Sequence, residues 1–371
     1  MSWQDHLIQY RRDLHQIPEI GFEEYKTSSY LFDRLVSFGL NPRRIGDTGI
    51  VADITGAKPG KTYAVRADID ALPLPEETGL EFSSTHPGAM HACGHDAHMA
   101  IVLGLAERLT ADRDFAGTVR ILFQPAEEKP PGGALDLING GALEGVDEVY
   151  GLHVWSNYPV GTAGLKGGVM MANADQFTIR IKGVGGHGSQ PQSTKDAVLI
   201  AAQTVVNLQT VVSRRVGAFE PAVVTCGTIH AGHNFNIIAE TAEITGTVRT
   251  FSANTQARII EEIGRIATAT AALYDASAEL TYQKGYPALI NHDQQAAQWE
   301  EKLRGLVEVV SMQPDPGGED FAYYLQHRPG AFLFLGCGPE GKAAPHHSPH
   351  FLVDERVLPL GVEVLRRAIS Q

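Results

Sequence analysis

Thr118-Val-Arg-Ile-Leu-Phe-Gln-Pro-Ala-Glu-Glu128 is an apolar strand that stops at Pro125 and runs straight into two adjacent carboxylates. A strand this apolar belongs in a sheet covered by helices on both faces. Residues 98–109, just upstream, read as an apolar helix, and Glu148-Val-Tyr-Gly-Leu-His-Val154 downstream reads as a second buried strand ending near His153. Buried strands alternating with helices predict an α/β domain with a largely parallel or mixed sheet.

Toward the N-terminus, Leu7, Leu14 and Ile17 recur at helical spacing up to Pro18, and residues 30–40 form a second amphipathic pattern closed by Gly39 and Pro42. Gly49-Ile-Val-Ala-Asp-Ile-Thr55 and Thr62-Tyr-Ala-Val-Arg-Ala-Asp68 are β-rich and flank the turn-forming Gly56-Ala-Lys-Pro-Gly60, which predicts a hairpin. From Asn173 the pattern changes. Gln176-Phe-Thr-Ile-Arg-Ile-Lys182 and Ala242-Glu-Ile-Thr-Gly-Thr-Val-Arg249 alternate cleanly, and long helical segments follow at 197–212 and 255–274. This order predicts a small α+β sandwich with one solvated sheet face. After Pro287 the apolar style returns in Ala331-Phe-Leu-Phe-Leu-Gly336, with a final helix over 360–369. The expected organisation is therefore one domain over 1–172 and 287–371, interrupted by a second over 173–286.

The 371 residues are 43% hydrophobic and 20% charged, ordinary globular usage. A net charge of −13 disfavours nucleic acid and anionic membranes as partners. Cys93, Cys226 and Cys337 are too few and too scattered for a disulfide framework, which fits a reducing compartment such as the cytoplasm. The N-terminus lacks an apolar signal region and no stretch approaches the ~20 apolar residues of a membrane span, so neither leader nor anchor is expected.

His91-Ala-Cys-Gly-His-Asp-Ala-His98 gathers three imidazoles, a thiol and a carboxylate just before a helix. Zinc, manganese and related ions take these ligand types. Cys93 and His95 flank Gly94, and His91, Asp96 and His98 are further ligands or partners that fix imidazole tautomers. An isolated Glu127-Glu128 pair would read as a solvated acidic loop. At a strand end, one carboxylate can bind metal while its neighbour serves as general base. His153 and the segment His346-His-Ser-Pro-His350 also follow strands. Cys93, His95, Glu128, His153 and His347 exceed one tetrahedral shell, which predicts two ions.

Taken in order, Arg11-Arg-Asp-Leu-His-Gln-Ile-Pro-Glu19, Arg66-Ala-Asp-Ile-Asp-Ala-Leu-Pro73, Met90-His-Ala-Cys-Gly-His-Asp-Ala-His98, Phe123-Gln-Pro-Ala-Glu-Glu128, Gly185-Gly-His-Gly-Ser189, Asn236-Ile-Ile-Ala-Glu240, Gly246-Thr-Val-Arg-Thr-Phe251, Gly318-Glu-Asp-Phe-Ala322 and His347-Ser-Pro-His-Phe351 span the whole chain. Together they resemble the dinuclear metallopeptidase-type amidohydrolases, the group of hippurate hydrolases, N-acyl-amino-acid amidohydrolases, auxin-conjugate hydrolases and N-acetyldiaminopimelate deacetylases.

The resemblance implies an aminopeptidase-like α/β catalytic domain with an inserted ferredoxin-like α+β domain acting as lid and dimerisation surface. It implies that Cys93, His95, Glu128, His153 and His347 bind two divalent ions, zinc or manganese with cobalt or nickel as alternatives, and that Glu127 is the base. His187 matches the histidine that polarises the scissile carbonyl, often across a homodimer interface; Asn236 and Arg249 match positions that hold the substrate carboxylate; Asp70 matches the aspartate that orients a ligand. Salt bridging of Asp70 to Arg66 is the plainer alternative. The implied reaction is hydrolysis of N-acyl amino acids, with a metallo-dipeptidase or carboxypeptidase as runner-up. A thiol hydrolase built on Cys93 and an inactive metal-dependent binding protein stand further back. Departures from the family pattern are Gly318, the additional His230 and His233, and His346, which with His350 competes with His347 as ligand.

Overall fold

The computed structural model describes residues 2–339 and 344–370, and these divide into two compact units. The first comprises the chain up to Met170, Ile290–Gln313 and the chain from Asp320 onward; the second comprises Met171–Leu289 and Pro314–Glu319. The short return of 314–319 carries no strand or helix periodicity of its own in the sequence.

In the first unit, helix α1 (Trp3–His15) starts at a capping box in which Ser2 and Asp5 satisfy each other's backbone N–H groups. Next come α2 (Tyr25–Ser37), β1 (Arg43–Ile45), β2 (Gly49–Thr55), β3 (Lys58–Asp68), α3 (His95–Ala111), β4 (Ala116–Gln124), β5 (Glu148–Pro159) and β6 (Thr162–Gly164). The second unit contributes β7 (Asn173–Lys182), α4 (Ala197–Arg215), β8 (Ala222–Ala231), β9 (Thr241–Thr250), α5 (Ala253–Ala272) and β10 (Ser277–Tyr286). The first unit then resumes with α6 (Asp293–Leu303), β11 (Glu308–Val310), α7 (Phe321–His327), β12 (Gly330–Gly338) and α8 (Val357–Ala368).

The large sheet has the order β1-β2-β4-β3-β5-β12-β6-β11. Its centre, β4-β3-β5-β12, is parallel, and every residue of β12 is buried. Leu7, Leu14, Leu103, Leu105 and Val362 are fully buried in its helical cover, each burial contributing roughly 1.5–3 kcal/mol. The predicted hairpin does not form. β4 lies between its two arms, antiparallel to β2 through Val51–Leu122 and parallel to β3 through Val65–Ile121. Tyr63–Asp68 is buried throughout, and a strand of this kind takes a partner on each edge, here β4 and β5. The turn residues Gly56 and Ala57 instead donate to the carbonyls of Gly117 and Arg113. His153 lies within β5, opposite Phe334, because pairing with β12 carries the strand on to Pro159.

The second unit is a four-stranded antiparallel sheet of order β8-β9-β7-β10 with two helices on one face. Phe177, Ile179, Ile181, Ile244 and Val248 point at Ile200, Leu208, Ile259 and Ile263 of those helices, while Gln176, Arg180 and Lys182 alternate outward. This is the ferredoxin-like order. Asp196 caps α4 and Ser252 caps α5. Among the described residues no helix is long and apolar enough to cross a membrane, and the three cysteines are unbridged.

Candidate metal centre

Gly94 turns the chain between Cys93 and His95 with φ +88°, and a Cβ there would lie 2.4 Å from Val154 Cγ2, so glycine alone fits. His95 opens α3, three residues earlier than the sequence pattern suggested. It therefore shares a helix face with His98. His98 spends both ring nitrogens on protein: Nδ1–H donates to Asp68 Oδ1 at 2.6 Å and Nε2 accepts the N–H of Val154 at 2.8 Å. It is a support rather than a ligand.

His95 and His153 are arranged differently. His95 Nδ1–H donates to the Asp70 carbonyl at 2.9 Å, and its buried Nε2 has no hydrogen-bond partner. His153 Nδ1–H donates to the Val154 carbonyl at 2.7 Å, with Nε2 3.3 Å from Cys93 Sγ. Both rings thus turn Nε2 toward the thiol, as metal-binding imidazoles do.

Beyond β4 the backbone is held at Ala126, whose φ is +55° and whose N–H donates to Glu24 Oε1 at 2.8 Å. The next two residues project their carboxyls into the cluster. The N–H of Glu128 donates to Asp70 Oδ2 at 2.9 Å, and Glu128 Oε1 lies 3.1 Å from His347 Nε2. Of the trios whose donor atoms lie mutually within 4.8 Å among the described residues, three are built from the predicted ligands and base: Cys93–His95–His153, Cys93–Glu128–His347 and His95–Glu127–Glu128. Cys93 is common to the first two.

Of the competing C-terminal histidines, His346 is clamped between Trp155 and Phe351 (ring centroids 4.8 and 4.7 Å). Its Nε2 accepts the N–H of Ser156 at 3.2 Å, and its Nδ1 lies 3.8 Å from Cys93 Sγ. His350 turns to Glu77. His347, at φ +64° with its N–H on the Ala92 carbonyl at 2.9 Å, belongs to a trio and the other two do not.

The electrostatics suit cations. Burial, then Glu128 and Glu127, push the Cys93 thiol well above its ordinary range. Burial would depress His95, but Asp68 and Asp70 outweigh it and raise the group to about 10. A proton thus occupies a place rich in carboxylates that a divalent ion would take. Thiol, imidazole and carboxylate donors, together with the unpartnered Nε2 of His95, fit metal ions well.

Other predicted residues fall elsewhere. Asp96 accepts from Arg11 Nε at 3.0 Å and His15 Nδ1 at 2.8 Å, and His91 is buried with neither ring nitrogen bonded. Arg66 does not bridge to Asp70. It pairs with Asp68 at 2.6 Å and Asp320 at 2.8 Å, because residues two apart on a strand share a face. In the second unit, Ile237 pairs with His187, which brings His187 close to Asn236. His187 Nδ1 accepts from Ser189 N–H and Oγ–H at 3.1 and 2.8 Å. Arg249 is half-buried and donates to the Pro316 and Val248 carbonyls, both at 3.1 Å, and to Thr247 Oγ1. Sequence reasoning missed Glu24 and Asp320. Glu24 gave no signal beyond a polar Glu-Glu pair; Asp320 stood inside the quoted Gly318-Glu-Asp-Phe-Ala322 motif.

Over residues 64–371 the chain matches the profile described as Peptidase family M20/M25/M40. It is 44% identical over 290 residues, 78% of each chain, to an N-acyl-L-amino acid amidohydrolase of Geobacillus stearothermophilus. It is 40% identical to thermostable carboxypeptidase 1 of Saccharolobus solfataricus, covering 96% of this chain and 93% of that one. The solved structure of a Bacillus subtilis dinuclear metal binding peptidase from the M20 family superposes with a TM-score of 0.87 at 36% identity, covering 99% and 97%.

Proposed function

Because the chain belongs to peptidase family M20/M25/M40, a family of metal-dependent amide hydrolases, we propose that it cleaves N-acyl amino acids to a carboxylic acid and a free amino acid. The observation that carries this reading is the pair of donor trios sharing Cys93, with the Glu127 carboxylate beside them.

Cys93, His95, Glu128, His153 and His347 would hold two divalent ions. Zinc suits the thiol and imidazoles, and manganese, cobalt or nickel are the alternatives. When bound, the ions supply Lewis acidity at the scissile carbonyl and make water a stronger acid. Glu127, buried and facing His95 and Glu128, takes the proton of the attacking water and returns it to the leaving nitrogen. Asp70 holds His95 and Glu128 in place. His187 donates to the developing oxyanion, while Asn236 and Arg249 receive the substrate carboxylate.

Residues 173–286 would serve as an inserted lid. A homodimer is supported by Val198, Leu199 and Val206 of α4, Val223 and Ile229 of the edge strand β8, and Phe235, all large apolar side chains left exposed. Three free thiols support a reducing compartment such as the cytoplasm.

The test is chelator stripping, reconstitution with single metals, and measurement of free amine released from a panel of N-acyl amino acids. Turnover that chelator abolishes and metal restores is expected; chelator-resistant turnover, or none on any panel member, overturns the reading. The carboxypeptidase relative supports a second reading, cleavage of a C-terminal peptide bond. Preference for dipeptides over N-acetyl amino acids under the same metal would select it.

A further inference from the structure

Arg66 has no exposed side-chain surface, so bulk solvent does not meet its charge. Its guanidinium instead reaches three acceptors: Nε donates to Gln124 Oε1 at 2.9 Å, one terminal nitrogen to Asp68 Oδ2 at 2.6 Å and the other to Asp320 Oδ1 at 2.8 Å. These acceptors lead to two parts of the site.

On one side, Asp320 Oδ2 accepts from Gln124 Nε2 at 2.8 Å and from the N–H of Ala134 at 3.2 Å. Gln124 ends β4 and Ala134 lies beyond the loop that carries Glu127 and Glu128, so this one carboxylate clasps both ends of that loop. The approach is close: Gly132 has φ +79°, and a Cβ there would lie 2.3 Å from Asp320 Oδ2. On the other side, Asp68 Oδ1 accepts from His98 Nδ1–H. The His98 ring stacks on His95 at 5.4 Å and meets His153 edge-on at 4.6 Å.

We propose that Arg66 is a positioning residue that fixes the carboxylates of Glu127 and Glu128 relative to the imidazoles of His95 and His153. The inference rests on the metallohydrolase reading above. A planar fork with donors in three directions can hold Gln124, Asp68 and Asp320 together, whereas the point charge of lysine cannot hold all three. The role also differs from that of an ordinary structural ion pair: a displaced fork would change the mutual geometry of donors and base even in a protein that folds and binds metal.

The experiment compares wild type, Arg66→Lys and Gln124→Met by circular dichroism, metal content, the visible spectrum of the cobalt-reconstituted proteins, and steady-state kinetics on an N-acetyl amino acid. Arg66→Lys is expected to fold and load cobalt like wild type, but with altered cobalt bands and kcat lowered roughly ten- to hundred-fold. Its KM should stay within about threefold, since positioning at the reacting centre acts mainly on kcat. Gln124→Met should move spectrum and kcat in the same direction by less. Native bands and native kcat in folded, loaded Arg66→Lys overturn the proposal. Should that variant not fold, the same result in Gln124→Met overturns it. A wild type that takes up no metal and releases no amine would remove the hydrolase reading itself, an outcome visible before any variant is examined.

Discussion

The carboxylate of Asp70 accepts the backbone N–H of Glu128 at 2.9 Å, while the carbonyl of the same residue orients His95. One aspartate therefore ties a donor from the strand-β4 loop to a donor at the start of α3. Asp70→Ala should leave the fold intact and weaken metal binding by roughly 10- to 100-fold. Competition with a chromophoric chelator measures this, and native affinity would mean that Asp70 does not fix the site.

In the proposed mechanism the neighbours Glu127 and Glu128 have separate tasks. Glu127→Gln should retain both metals by elemental analysis and lose about 10²- to 10⁴-fold in kcat, the usual contribution of a positioned general base. A near-native rate would transfer that role to another group.

The two adjacent C-terminal histidines should respond oppositely. His347→Ala is expected to lower metal stoichiometry, because its Nε2 faces Glu128. His346→Leu should leave stoichiometry unchanged, because that ring is wedged between Trp155 and Phe351 and accepts from Ser156. Loss of metal in His346→Leu alone would reverse the assignment.

Metal uptake should be pH-dependent with a defined sign. Without metal, burial keeps Cys93 a thiol well above its ordinary range, and His95 stays protonated up to about 10. Binding must release both protons, so apparent affinity should rise with pH, by up to roughly 100-fold per unit below about pH 9. Chelator competition at several pH values checks this; a flat profile would show that neither proton is displaced.

Farther from the metals, His15 links α1 to Asp96 and Glu76. Burial alone would lower it, but Asp96 and then Glu76 raise it to about 9. A raised histidine stabilises the fold fully below its ordinary 6.5 and ceases to do so as pH climbs through 9. The contribution is on the order of 3 kcal/mol for a group this buried. In urea denaturation, His15→Gln should be destabilised at pH 6 and approach wild type near pH 9.5; an equal gap at both would disprove the linkage.

The central strands were legible because residues 331–336 are apolar on both faces and Val119, Ile121 and Phe123 make one face of 118–124 apolar, patterns that a covered sheet satisfies. The Cys93–His98 run was legible because its donors are adjacent in sequence. The hairpin was misread because the turn chemistry of Gly56–Gly60 is local, whereas the partner of β3 is chosen by a strand that follows α3. The Arg66–Asp68 pairing could have been read from period-two spacing; Asp70 lies past the strand end and escapes that rule. Glu24 and Asp320 stayed hidden for a different reason. A buried carboxylate looks like a surface one until tertiary structure supplies the N–H groups that it accepts.

The strand pair β5–β12 joins Val149 to Gly330, on opposite sides of the excursion through residues 171–289. As the chain leaves the ribosome, β5 waits with one edge bare while the intervening unit is synthesised, and His347 follows later still. Nascent chains shorter than this carry an unpaired, apolar strand, the kind of edge that invites aggregation. Completion of the large sheet is in this sense an end-of-synthesis event, and His347 joins the cluster only after it.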